Sequence, residues 1–203
     1  MSVLDIVFPK RCLTCKKEGK YICGSCLSKV RYSQNQENII SIWNYEGVIK
    51  QAILALKYKF AFEVGEELAK LTILELKRKN FSFPKNLILV PVPLHKQRQN
   101  WRGFNQAEMM GKKIAKDFGW KFNPDLIAKT EASQPQVELA KEERLRNLRG
   151  KFAVNHAWKE KIEPDFFYVI FDDVATTGST IKEVEKVLKE NGAKETIGLT
   201  MAS

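Results

Sequence analysis

Two unbroken apolar runs, Leu87-Ile88-Leu89-Val90-Pro91-Val92 and Phe166-Phe167-Tyr168-Val169-Ile170-Phe171, stand out against a polar background. A strand with one wet face alternates apolar with polar positions. A run without alternation marks a strand covered on both faces, as in a parallel sheet. Helical spacing follows each run, over Ala107 to Phe118 and over Thr180 to Asn191, the latter stopped by Gly192. A last strand is predicted over Thr196 to Met201. Upstream, Ile39 to Tyr45 has the β-branched and aromatic content of a strand. Val48, Ile49, Ala52, Ile53 and Leu56 then form one helical stripe, and a second helix is predicted from about Val64 to Arg78. The alternation predicts an α/β domain with a mainly parallel sheet flanked by helices on both faces.

Two segments depart from this rhythm. Thr130 to Gly150 is a long polar stretch containing Gln134-Pro135-Gln136 and the charged run Lys141 to Arg149, and a stretch of that kind inside a compact domain reads as a functional loop. The first thirty residues hold Cys12-x-x-Cys15 and Cys23-x-x-Cys26 and too little apolar material for a core of their own. The expected organisation is therefore a small unit over residues 1–34 and a large one over 35–203, in which 35–85 leads into the α/β core of 86–203.

Hydrophobic residues at 44% and charged residues at 29% of 203 are the balance of a folded chain, without low-complexity tracts. No apolar run reaches the roughly 18–20 residues needed to cross a bilayer, so no membrane span is expected. The first residues lack a basic stretch and carry Asp5, unlike a secretory signal, and a cytoplasmic location is expected. The net charge of +10 suits anionic partners, among them a nucleotide-like substrate, nucleic acid or an acidic membrane face, and equally a solvated lysine-rich surface.

In a reducing compartment a cluster of this kind favours metal over disulfides. With seven residues between the pairs, Cys12, Cys15, Cys23 and Cys26 can surround one structural zinc ion, an Fe–S or redox site being the lesser alternative. Lys16, Lys17, Lys20, Lys29 and Arg31, with Tyr21 and Tyr32 as stacking platforms, would suit single-stranded nucleic acid or simply a solvated face.

The richest stretch is Val169 to Thr180: an apolar strand, the acids Asp172-Asp173, the small and hydroxyl residues Ala175-Thr176-Thr177-Gly178-Ser179-Thr180, then a helix. Ligands of open α/β sheets bind beyond the carboxyl ends of strands, where the two acids are expected. A loop without bulk can close its N–H groups around a phosphate at the positive end of a helix. Adjacent acids call for ribose hydroxyls and a hard cation. Without a Gly-x-x-x-x-Gly-Lys-Ser/Thr sequence, a Walker loop is excluded.

This stretch resembles the phosphoribosyl pyrophosphate (PRPP) signature of type I phosphoribosyltransferases. The resemblance implies that Asp172 and Asp173 hold the ribose hydroxyls, that Ala175, Thr176, Thr177, Gly178, Ser179 and Thr180 hold the 5′-phosphate, and that magnesium accompanies PRPP. It also makes residues 35–85 hood-like. The segment from Val90 to Ala107, with His95-Lys96-Gln97-Arg98 and Trp101-Arg102-Gly103-Phe104-Asn105-Gln106, resembles the ComF (ComFC/GntX-like) branch. His95, Arg98 and Arg102 there gather positive charge for the pyrophosphate. Membership implies a role in natural transformation, with single-stranded DNA and competence machinery such as a ComF helicase as partners. A phosphoribosyltransferase of nucleotide metabolism with an unknown acceptor is the alternative.

Overall fold

A computed structural model describes residues 9–56, 62–94, 103–130, 150–158 and 161–203. The chain order is α1 (Gly24–Leu27), β1 (Ile39–Trp43), α2 (Gly47–Ala55), α3 (Phe62–Arg78), β2 (Leu87–Pro91), α4 (Gln106–Phe118), β3 (Lys121–Phe122), β4 (Ile127–Lys129), β5 (Phe152–Val154), β6 (Phe167–Val174), α5 (Ser179–Glu190) and β7 (Glu195–Ala202). Five strands form a parallel sheet in the order β1-β7-β6-β2-β3.

The apolar run in β6 fills two cores. Val169 and Phe171 join the cluster built by α2, α3 and α4. Tyr168 and Ile170 join the cluster on the other face, with Ile181, Val184 and Leu188 of α5. All four β6 residues are buried, which is why the run shows no alternation. Gly198 on β7 lets α5 approach the sheet: a Cβ there would stand 2.7 Å from Ile181 Cγ2. At the far end of α4, Gly119 takes the left-handed conformation that ends the helix.

Two features differ from the sequence reading. First, β6 continues through the acids. Asp172 pairs with Thr200 and Val174 with Ala202, so the acids are the last rungs of the sheet rather than the start of the loop. Backbone pairing is indifferent to side-chain polarity, and hydropathy stops at Phe171 for that reason. Second, the long polar stretch interrupts a ribbon: β4 and β5 pair antiparallel around it. The Thr130 N–H donates to Lys151 O at 2.8 Å and its hydroxyl to Gly150 O at 2.7 Å, so the chain returns to where it left. The run Lys141 to Arg149 lies outside the described residues.

The cysteine segment is not a separate core. Cys12, Ile22 and Val30 are buried in the same cluster as Trp43, Val48 and Leu68. One carboxylate fastens it: Glu67 of α3 accepts the N–H of Tyr21 at 3.1 Å and that of Ile22 at 3.0 Å. Among the described residues, no helix is long and apolar enough to cross a membrane.

Candidate functional site

At the carboxyl end of β6 the chain passes Asp172 and Asp173, turns, and enters α5 at Ser179. The turn is tied to the sheet where the buried Ala175 donates its N–H to Ala202 O at 2.9 Å. Gly178 occupies the N-cap in the left-handed region (φ 68°), and no side chain caps the helix from that position. A Cβ at Gly178 would also stand 2.6 Å from Ile39 Cδ1, so conformation and space both call for glycine. The Thr177 hydroxyl donates to the Ser179 hydroxyl at 2.8 Å and faces the Ser179 N–H at 3.4 Å. Thr176 is exposed, while Thr177, Ser179 and Thr180 are half-buried. Glycine is itself an accepted N-cap residue, so the cap alone is that of an ordinary helix start. What the turn adds is a set of hydroxyls around a helix start with the positive end of its dipole.

Asp172 Oδ1 accepts the N–H of Asp173 at 2.8 Å. Burial and then the charge of Asp173 push the Asp172 carboxyl well above its usual range, while the Asp173 N–H and Lys129 pull it back. Burial and then Asp173 likewise raise the Tyr45 phenol. Lys129 of β4 and Tyr45, just after β1, are thus electrostatic neighbours of the acids that no sequence pattern marked. Lys129 belongs to a three-residue strand, and Tyr45 reads as the tail of another.

His95, Arg98 and Arg102, expected at the pyrophosphate, lie outside the described residues, as does Lys96. The end of their loop is well tied. Asn105 caps α4 by accepting the Ala107 N–H at 3.1 Å and donates to Val92 O at 3.1 Å. Gln106 donates to Leu56 O at 2.8 Å. This segment joins the end of β2 to the end of α2.

The second constellation is the cysteine cluster. The sulfurs of Cys12, Cys15, Cys23 and Cys26 all lie within 4.8 Å of one another, and those of Cys15 and Cys23 are 3.6 Å apart. Zinc–sulfur bonds of about 2.3 Å in a tetrahedron give edges of about 3.8 Å, so the donor set fits. Burial raises the Cys12 thiol, but the N–H groups of Cys23, Cys15 and Thr14 outweigh it and bring it to about 6. Cys26, beside the sulfur of Cys15 and buried, is pushed up to about 12. Four sulfurs this close need a cation among them to ionise together, and no position is left for a substrate. The cluster is a closed, structural zinc site.

Around it Lys16, Lys17, Lys20 and Lys29 are exposed. Arg31, in contrast, is matched to Glu46 through its backbone N–H, Nε and Nη2 at 3.0, 3.2 and 3.0 Å. The Tyr21 hydroxyl donates to Glu63 at 2.9 Å, and Lys10 lies 5.6 Å from its ring centre. Tyr32 is 47% exposed, but Lys79 and Arg78 lie over its ring at 4.5 and 5.1 Å. Both rings thus already carry cation contacts.

Residues 3–37 match the family model described as a double zinc ribbon domain. Over 173 residues the chain is 31% identical to the DNA utilization protein YhgH of Salmonella typhi, covering 84% of this chain and 73% of that one. It is 28% identical to competence protein F of Haemophilus influenzae, over 91% of this chain and 80% of that one. With competence protein ComFC of Bacillus subtilis the identity is 22%, over 84% and 67% of the respective chains. Among solved structures, it is similar to glutamine PRPP amidotransferase from B. subtilis, at 15% identity and a TM-score of 0.47. That match covers 83% of this chain and 32% of the other. Adenine phosphoribosyltransferase from Leishmania tarentolae is similar at 15% identity and a TM-score of 0.41, over 85% and 68% of the two chains. Identity of 31% sustained over most of both chains is a family relationship, and the chain belongs to the ComF family of DNA utilization and competence proteins.

Proposed function

We propose that the chain binds PRPP with magnesium at the end of β6 and serves the handling of incoming DNA in natural transformation. The observation that carries the PRPP reading is the left-handed Gly178 at the N-cap of α5, shortly after the two acids of β6 and flanked by the hydroxyls of Thr177, Ser179 and Thr180. In this reading the N–H groups and hydroxyls of residues 175–180 receive the 5′-phosphate. Asp172 and Asp173 accept hydrogen bonds from the ribose hydroxyls, and Lys129 offsets part of their mutual repulsion. His95, Arg98 and Arg102 take the pyrophosphate by charge and by bidentate guanidinium contacts. Asp172 and Asp173 would hold magnesium, which would supply neutralisation of the pyrophosphate charge. Residues 1–34 act as the zinc-bound unit and 35–203 as the phosphoribosyl unit, with the lysines of the former turned to single-stranded DNA.

Calorimetric titration with PRPP, with and without magnesium, tests the site. Asp172→Asn with Asp173→Asn should weaken binding by tenfold or more, since hydrogen bonds to charged groups contribute about 1.5–3 kcal/mol each. Unchanged affinity would reduce the stretch to a helix start. Incubation with PRPP and magnesium, with and without pooled acceptors, separates binding alone from phosphoribosyl transfer, because transfer releases pyrophosphate in an acceptor-dependent manner.

A further inference from the structure

On the side of α3 next to the zinc unit, Lys70, Leu74 and Arg78 stand four residues apart and form one exposed row. Leu74 is 62% exposed on a helix whose other apolar positions, its first residue Phe62 aside, are buried or half-buried. At the end of the row Arg78 reaches over Tyr32, itself 47% exposed, and Lys79 covers the same ring. Tyr32 is held there by its bridge to the buried Trp43 of β1. Two of the large exposed apolar side chains of the described residues thus share one patch with three cations.

The acids nearby are already engaged. Glu67 accepts from Tyr21 and Ile22, and Glu75, largely covered, is bonded to Arg78 at 2.8 Å. With Arg78 neutralised by Glu75, the cations left to a partner are Lys70 and Lys79, around an apolar centre. Exposed apolar side chains rimmed by charge mark docking sites, and acidic motifs are recognised by such cation clusters.

We infer that this patch docks an acidic amphipathic segment of a partner protein, its apolar side chains on Leu74 and Tyr32 and its carboxylates on Lys70 and Lys79. Nucleic acid is the lesser fit. Leu74 has no π-face for a base, and Tyr32 offers a single stacking platform rather than the succession that a single strand uses.

The test uses the full zinc-loaded chain and a dye-labelled peptide of aspartates and glutamates bearing one leucine and one phenylalanine four positions apart. A peptide of equal charge with serines in place of those two, and an oligothymidylate of equal charge, are the comparisons. Fluorescence anisotropy should show the amphipathic peptide binding about tenfold tighter than the serine peptide, as expected of a buried anchor. Leu74→Ser with Tyr32→Ala should abolish that margin while zinc content and thermal unfolding stay as in the parent. Lys70→Ala with Lys79→Ala should weaken both peptides. Equal binding of the two peptides, no binding up to millimolar concentration, or an unaffected Leu74→Ser variant would overturn the inference. Displacement of the peptide by the oligothymidylate in a Tyr32-dependent manner would overturn it too, assigning the patch to nucleic acid.

Discussion

Burial and the adjacent charge of Asp173 disfavour the ionised form of Asp172, and the consequence for stability has a definite sign. A carboxyl whose pKa is higher in the folded chain than in the unfolded one destabilises the fold wherever it is ionised. That penalty is absent below the ordinary carboxylate range and grows as pH rises through the raised value. Asp172→Asn should therefore raise the melting temperature at neutral pH, with the gain shrinking towards about pH 4, while PRPP binding falls. Thermal scans across that range, paired with PRPP titration, read both effects. Gly178→Ala carries the opposite signature: a left-handed residue with a Cβ against Ile39 should cost about 1–2 kcal/mol. The melting temperature should then fall by about 2–4 °C per kcal/mol, as measured by calorimetry.

At the level of elements, α3 joins the zinc unit to the sheet. Its Glu67 takes two consecutive N–H groups from the cysteine segment, while Glu63 takes the Tyr21 hydroxyl and pairs with Lys10 at 3.1 Å. The sparse apolar content of the first thirty residues suggests a unit that could unfold alone. Because Cys12, Ile22 and Val30 are packed with Trp43 and Val48, its loss exposes part of the main core. Cys12→Ser with Cys15→Ser should lose the zinc, about one ion per chain by metal analysis. Amide exchange should then accelerate in β1 and α3 as well as in residues 10–30. Glu67→Ala should lower stability by about 1.5–3 kcal/mol, since it leaves two N–H groups without a charged acceptor.

Over the whole molecule, the charge of +10 is unevenly usable. Arg31, Lys77 and Arg78 are paired with Glu46, Asp117 and Glu75, whereas Lys16, Lys17 and Lys20 stand exposed around the zinc cluster. Single-stranded DNA bound there should lose affinity by about 0.7 log units per log unit of salt for each phosphate contacted. Lys16→Ala, Lys17→Ala and Lys20→Ala together should flatten that slope without changing PRPP affinity. Anisotropy with a labelled oligonucleotide at several salt concentrations measures it.

The parallel α/β plan was readable because strands covered on both faces must be apolar throughout, and helices that cover them must carry an apolar stripe. The zinc ligands were readable because chelation fixes residue type and spacing along the chain, and the strand, acids, small loop and helix of residues 169–180 were readable for the same local reason. Short elements were not: β3, β4 and β5 contain too few residues to show a period, and they exist because larger neighbours supply their partners. Nor could sequence set Lys129 and Tyr45 beside the acids, turn Glu67 into a clasp, or gather Leu74, Arg78 and Tyr32 on one surface. Those relations join residues tens of positions apart, and only the packing of the sheet, helices and zinc unit brings them within reach of one another.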